Sequence, residues 1–508
     1  MKRKSLFSVF CTLILVFLSA CGEDKDIRTA IPSDVQMVVS VDWIAMAEKG
    51  GLSDLAMSTS LSELIGKQMP GDDKAYVEKI LKEPGEAGID FTQKLYAFVN
   101  SKADMGVLVK IDSKKRFKRL LRHLGGEWKN KEWQKEGGVE YLQADYEAVL
   151  LDNDMAIYIK TNSELTDEGI RRRGIGWLKQ KAEDSFTATN ACVTFEKENS
   201  DLTLWCTLDA LMRNKQSRCY VQNSLPRDVR LSDLQCLMGV HFENGCVTLD
   251  ARMLPEGEAA TKFYEEQSEV LGTMQGTFLP DVSLNPWLWA GTSLHGKQCC
   301  RLLEQNAGLW QMLDGAAFGF NLRKWLASIN GDVALVVCQT PSDSIPSPTD
   351  ISFKSLPVFA VQAELENDSI LDDMDTMMQM LNLLGINMKK DAPGKYGIRL
   401  ADVPMWLGVD SEKHFFYTTA VDMLKPSKEV PFWALEARRS RFYLRLDIRQ
   451  MRLTHSLQMF LPMLDLLDVL VVKANDAKSI NLQLWAVDRR ENILKQLLTA
   501  LAKTYETN

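Results

Sequence analysis

Residues 105–121, "MGVLVKIDSKKRFKRLL", decide the reading of the fold, because a strand, a polar break and a helix follow one another in one short stretch. Met105 to Ile111 is rich in aliphatic and β-branched residues. Phe117, Leu120 and Leu121 then recur three or four apart, which is the helical period. Ser113 stands where a helix N-cap belongs, since its hydroxyl can accept an N–H left open by the first turn. The same order returns at 357–381, "PVFAVQAELENDSILDDMDTMMQML", with Asn367 or Asp368 as the cap.

The match extends outward on both sides. Upstream, "IPSDVQMVVSVDWIAMAEKGGL" (31–52) faces "FLPDVSLNPWLWAGTSLHGKQCCRLL" (278–303), and "GIDFTQKLYAFV" (88–99) faces "GFNLRKWLASING" (319–331). Downstream, "GVEYLQADYEAVLLDNDMAIYIK" (138–160) faces "GIRLADVPMWLGVDSEKHFFYTT" (397–419), both in the manner of a meander broken by Asp and Asn turn formers. Next, 200–214 faces 440–454. Finally 237–267 faces 470–500, each a strand, a turn, a strand and a closing helix. The expected fold class is therefore α+β, built as two diverged copies of a mixed helix and antiparallel-sheet domain at 31–275 and 278–508. The second copy departs at its opening, "LPDVSLNPWLWAG". Residues 66–88 read as a polar helix between Gly and Pro, and the Pro- and Ser-rich 339–357 as an exposed loop.

The amino terminus reads as an address. Lys2, Arg3 and Lys4 precede a short apolar run that ends "LVFLSACGEDKD" (15–26). A positive end and a short apolar core make a secretory signal over residues 1–20, and residues 21–30 a polar tether. "LSAC" resembles the lipobox of bacterial lipoproteins. That resemblance implies that Cys21 is lipidated on its thiol, becomes the first mature residue and carries a further acyl chain such as palmitate on its amine. Two or three chains hold a bilayer stably where one does not. Gly22 in place of aspartate, followed by Glu23, Asp24 and Asp26, resembles the signals that send such proteins to the outer membrane, at its periplasmic face or the cell surface.

The chain has a net charge of -8, and loss of Lys2, Arg3 and Lys4 with the signal moves it to -11. That balance argues against nucleic acid as a partner, which requires clustered positive charge. "MFLPMLDLLDVLVV" (459–472) is interrupted by Pro462, Asp465 and Asp468 and reads as a packed element, not a membrane span. Of the cysteines beyond Cys21, Cys206 and Cys246 read as core fillers in strands. Cys299 and Cys300, adjacent on a helix, point apart. No cysteine set has zinc spacing, so no metal is expected.

No nucleophile elbow, phosphate loop, HExxH or dinucleotide fingerprint occurs, so no catalytic and no cofactor-binding residues are assigned and no cofactor is expected. His123, His241, His295, His414 and His455 are scattered across different elements, and Asp42 and Asp90 read as cap or turn residues. Two features suit a binding surface. "DSKKRFKRLLRH" (112–123) places Lys115, Arg119 and Arg122 among six cations on one helix, fit for an anionic lipid phosphate or an acidic glycan. "GIRRRGIG" (169–176) adds a smaller basic patch. Trp128 and Trp133 in a polar stretch, and Trp287 and Trp289 in "NPWLWAG", could stack on sugars or fill an interface, whereas Trp205, Trp433 and Trp485 fit strand cores.

The lipobox, the opening "IPSDV…VVSVDW", the "GID" block and the doubled layout together resemble a family of Bacteroidetes envelope lipoproteins of unknown function, DUF4836. The resemblance covers essentially the whole mature chain, implies an envelope location and a two-part architecture, and brings no functional residues with it. The leading expectation is a non-enzymatic binding or assembly protein at the outer membrane, anchored by lipid, with a protein or glycan partner. The alternatives are a glycan- or peptide-directed hydrolase with a carboxylate pair distant in sequence, and a structural or adhesive surface protein.

Overall fold

In the computed structural model, the apolar run Val35–Val41 forms strand β1, and Asp42 directly after it caps helix α1 (Trp43–Lys49), its carboxylate accepting from the Ala45 N–H at 3.0 Å. The structure describes residues 26–51, 71–123, 128, 131–161, 166–212, 218–219, 221–222, 225–304, 321–338, 358–400, 403–425, 428–450 and 464–506. Cys21, the 339–357 loop and His455 lie outside the described residues, as do residues 459–463 of the 459–472 stretch. Among the described residues no helix is long and apolar enough to cross a membrane.

The fold is mixed, with one large antiparallel sheet and several helices. After α1 come α2 (Gly71–Lys82), β2 (Leu95–Asn100), β3 (Met105–Lys110) and α3 (Lys114–His123). A meander follows, β4 (Gln134–Glu136), β5 (Val139–Ala144), β6 (Glu147–Leu151) and β7 (Met155–Lys160), then α4 (Asp167–Lys179) and α5 (Asn190–Glu196). β8 (Leu202–Thr207), β9 (Leu234–Glu243), β10 (Cys246–Pro255), α6 (Glu258–Ser268) and β11 (Leu271–Gly272) lead to β12 (Leu288–His295). The rest comprises α7 (Gly296–Glu304), α8 (Leu322–Ser328), β13 (Ile329–Cys338), β14 (Val358–Leu365), α9 (Leu371–Leu383) and the meander β15 (Asn387–Ala392), β16 (Lys395–Leu400), β17 (Val403–Val409) and β18 (His414–Thr418). β19 (Phe442–Asp447), β20 (Leu467–Ala474), β21 (Ser479–Ala486) and α10 (Ile493–Glu506) close the chain.

Compactness divides the chain into two units. The first holds residues up to Val38 together with Pro84–Lys197. Here β1, β2, β3, β7, β6, β5 and β4 lie side by side in that order, and each neighbouring pair from β2 to β4 is antiparallel. The strand β7 inserts beside β3 because the meander folds back on itself, leaving β4 at the edge. Helix α3 covers the meander: Phe117, with Leu120 and Leu121 beside it, packs on Leu142 of β5, Val149 and Leu151 of β6 and Ala156 of β7. Helix α4 is capped by Thr166, whose Oγ1 accepts from the Gly169 N–H at 3.2 Å, and its Trp177 meets Phe98 of β2 edge-on. Asp104, wholly buried, accepts from Arg173 of α4, from Thr161 Oγ1 at 2.5 Å and from Asn100 Nδ2 at 3.2 Å.

The second unit holds Val39–Glu83 and Glu198–Asn508. Its strands run β8, β9, β10, β21, β20, β19, β12, β13, β14, β18, β17, β16 and β15, all antiparallel. The end of β1 also belongs to this unit, and β1 pairs with β8. Helix α9 lies on its meander through Ile370 and Met374 against Met388, Tyr396, Leu407, Val409 and Phe415. Asn321 caps α8, accepting from the Lys324 N–H at 2.9 Å. A second core gathers Trp289, Tyr443, Val469 and Val471.

The opening of the second copy does depart from the first: a turn of 3-10 helix covers Val282–Leu284, and β12 begins only at Leu288. Two readings of local structure change. Trp433 is not a strand residue. It precedes the helical turn Ala434–Ala437 and stacks on Tyr443 of β19 at an interplanar angle of 7°. Of the two expected caps for the 371–383 helix, neither closes its first turn with a side chain: Asn367 accepts from the Ser369 N–H at 3.0 Å, and Asp368 contributes its backbone oxygen to Leu371. Cys206 and Cys246 are buried in β8 and β10 as expected.

Candidate binding face on helix α3

The connection from β3 to α3 fixes which way the helix faces. Asp112 pairs with Arg116 at 2.9 Å, and the Ser113 carbonyl accepts the Phe117 N–H at 2.9 Å. Phe117 is thereby turned inward, and the helical period sends Lys115, Arg119 and Arg122 to the opposite side. All three are exposed, and none has an ion-pair partner among the described residues.

The other cations of the helix are engaged. Arg116 pairs with Asp112. Lys118 pairs with Glu140 of β5 and stands 4.7 Å from the centroid of the Trp133 ring, while Lys114 is 4.0 Å from the same carboxylate. The hydrogen bond from Lys118 holds the Glu140 carboxyl below the usual range, against a smaller opposing effect of burial. Trp128 and Trp133 are half-buried and pack on the same core as Phe117.

Helix stability does not account for this charge. Lys114, Lys115 and Arg116 crowd the first turn, where the macrodipole disfavours cations by roughly 0.3–1 kcal/mol each at exposed positions. Only Arg122 and His123 sit at the favourable end. Nor does packing require it, since α9 covers its own meander while carrying Asp372 and Asp373 in its first turn.

Five of the seven expected surface residues, Lys115, Arg119, Arg122, Trp128 and Trp133, therefore belong to one helix and the core beneath it. The other two do not join them. Trp289 is only 2% exposed, its indole N–H donating to the Phe278 carbonyl at 3.3 Å within the core around Tyr443, so it offers no face to a partner. Trp287 is half-buried just before β12 and is held through its backbone by Val337 and Asp447. The patch at Arg171–Arg173 is likewise engaged: Arg171 pairs with Glu136, Arg172 with Glu168 and Arg173 with Asp104. Sequence reading missed Glu140. Its place opposite Lys118 is set by strand pairing and leaves no local signal.

His295 contacts Asn330 at 3.1 Å, while His414 sits 3.3 Å from Asp410. Asp42 and Asp90 are a helix cap and a turn former. Among the described residues no group of three His, Cys, Asp or Glu side chains could hold a metal ion.

No curated protein matches the chain. Among solved structures, crystal forms III, IV and I of TP0453 are similar at 12%, 12% and 11% identity, with TM-scores of 0.28, 0.28 and 0.27. They cover 50%, 45% and 49% of this chain and 89%, 80% and 87% of theirs, and likeness this loose carries nothing further to this protein. A family model of a domain of unknown function, DUF4836, matches residues 28–475, and the chain belongs to that family.

Proposed function

We propose that this chain is a lipid-anchored, non-enzymatic binding protein of the cell envelope, tethered through Cys21 at the outer membrane, and that α3 presents its outward face to an acidic glycan. The observation that carries the binding role is the division of labour on one helix. Lys114, Arg116 and Lys118 are neutralised by Asp112 and Glu140, while Lys115, Arg119 and Arg122 are exposed and have no ion-pair partner among the described residues, on a chain of net charge -8. Unpaired cations on one face of a fixed helix attract a polyanion and strengthen as salt is lowered. The periplasmic face and the cell surface both suit the role, and protease shaving of intact cells separates them.

The anchor rests on the lipobox-like "LSAC" ending at Cys21. We also read residues 31–275 and 278–508 as diverged copies of one α+β domain. What supports this is the matched strand order: β4, β5, β6, β7, β3, β2, β1, β8, β9, β10 beside β15, β16, β17, β18, β14, β13, β12, β19, β20, β21. A crystal structure in which β3 and β14 lack equivalent neighbours would remove that reading.

The test of binding is calorimetry against an acidic polysaccharide and a neutral one of the same length. Wild type should bind the acidic polymer only, and the Lys115→Glu, Arg119→Glu, Arg122→Glu triple variant at least about tenfold more weakly, the equivalent of about 1.4 kcal/mol. Equal binding by wild type and the variant, or binding of both polymers alike, ends the assignment. For the anchor, palmitate should label wild type and not Cys21→Ala.

A further inference from the structure

The strands β8 and β9 place two free cysteines directly opposite one another, with Cys206 in register with Cys236. Residues directly opposite in an antiparallel pair have Cα atoms about 4.5 or 5.5 Å apart and project their side chains to the same face. Both separations lie inside the range of roughly 4.4–6.8 Å that a disulfide spans without backbone movement. Both residues are buried, Cys206 at 0% exposure and Cys236 at 4%. The other strand cysteines have no such neighbour: Cys246 lies opposite Glu243 and Trp485, and Cys338 opposite Val358.

We propose that Cys206 and Cys236 are a modification site, closing into a cross-strand disulfide as the protein folds in an oxidising compartment. The oxidant is a small-molecule or protein disulfide. One cysteine thiolate attacks a sulfur of the oxidant, forming a mixed disulfide and expelling one thiolate. The other cysteine then attacks the protein sulfur of that mixed disulfide, forming the Cys206–Cys236 bond and expelling the second thiolate. The two protons lost from the protein thiols balance the two thiolates released, and two electrons pass to the oxidant.

The folded state dictates when this happens. Burial pushes the Cys206 thiol up to about 12, with Cys236 beside it adding to the rise, and burial raises Cys236 as well. A buried, protonated thiol neither attacks nor is reached. Closure therefore belongs to the folding chain, before Tyr264 of α6 packs on Leu234 of β9 and comes under the influence of the Cys236 thiol. Once formed, the bond is shielded from reductants by the same burial. Its use in the cell rests on the envelope reading, but its chemistry does not.

The experiment refolds the full chain in a mixture of reduced and oxidised glutathione, blocks free thiols by alkylation and maps the peptides by mass spectrometry without reduction. The expected product is a peptide pair joined through Cys206 and Cys236, with the remaining cysteines alkylated. Folded, fully reduced protein placed in the same mixture should form that pair far more slowly. Alkylation of both residues after refolding, or either one joined mainly to another cysteine, overturns the proposal. Wild type refolded with dithiothreitol present throughout should have a lower Tm than wild type refolded in the glutathione mixture, while Cys206→Ala and Cys236→Ala should have the same Tm from both. An equal Tm response in these variants also overturns it. Failure here leaves palmitate labelling at Cys21 untouched, so the two readings are separable.

Discussion

The ammonium of Lys118 stands 4.7 Å from the centroid of the Trp133 ring and is hydrogen-bonded to Glu140, so one side chain ties α3 both to the stretch before β4 and to β5. The Glu140 carboxyl is held below its ordinary value by that bond. A lowered carboxyl contributes stability that is fully present above the unfolded value, about 4.3, and is lost as pH falls through the folded value. Carbon-detected NMR titration should place Glu140 below ordinary glutamates, and Lys118→Met should move it back up. Both partners keep some solvent contact, so the stability lost should stay within about 1 kcal/mol. An ordinary titration of Glu140 in wild type would refute the coupling.

Arg173→Met should be far more damaging. It leaves the Asp104 carboxylate, with 0% exposure, holding only Thr161 and Asn100. Stranding a buried charge costs about 3–5 kcal/mol, and the partial exposure of Arg173 argues for the lower end. Denaturant unfolding of the two proteins checks this, and a loss below about 1 kcal/mol would refute the claim that Arg173 compensates the buried Asp104 carboxylate.

Asp332 should prove a clamp in the second unit. Its carboxylate accepts backbone N–H groups from Gln275 at 3.0 Å, Gly276 at 2.6 Å and Thr277 at 3.0 Å. Asp332→Ala strands those donors and should cost about 3 kcal/mol, since one hydrogen bond to a charged group contributes about 1.5–3 kcal/mol. Amide exchange at residues 275–277 should speed up in the variant. Unchanged protection at those amides would contradict the clamp.

Gly174→Ala tests how closely α4 approaches the sheet. A Cβ at Gly174 would fall 2.6 Å from Cδ1 of both Leu150 and Ile159. Alanine gains about 1 kcal/mol of helix propensity, but overpacking costs about 1–3 kcal/mol, so the variant should lose stability. A rise in Tm would mean that the strand side chains have room to turn away.

Much of the local structure was legible in the amino-acid order. The strand at 105–110 and the helix at 114–123 follow from the change in apolar period at Ser113. Asp42, read as a cap or turn residue, closes a helix start because its side-chain oxygen reaches an open N–H group of the first turn. The exposed face of α3 was legible for the same reason, since spacings of three and four put Lys115, Arg119 and Arg122 together. Trp289 and Trp433 were not legible. An aromatic residue in a mixed stretch suits a surface or a core, and the choice falls to elements far along the chain, such as β19, which supplies Tyr443 to both.

Sequence by itself determined which segments become strands and helices, in what order they come, and the acidic balance of the chain, because period, caps and charge act within a few residues. Tertiary structure alone decided that β7 lies beside β3, and β18 beside β14, with a meander folded outward from each. It alone set Cys206 across from Cys236 and Glu140 beneath Lys118. Backbone hydrogen bonding between strands is nearly indifferent to side-chain identity. The neighbour of a strand is therefore chosen by how the whole chain buries its apolar faces, a sum no short stretch contains.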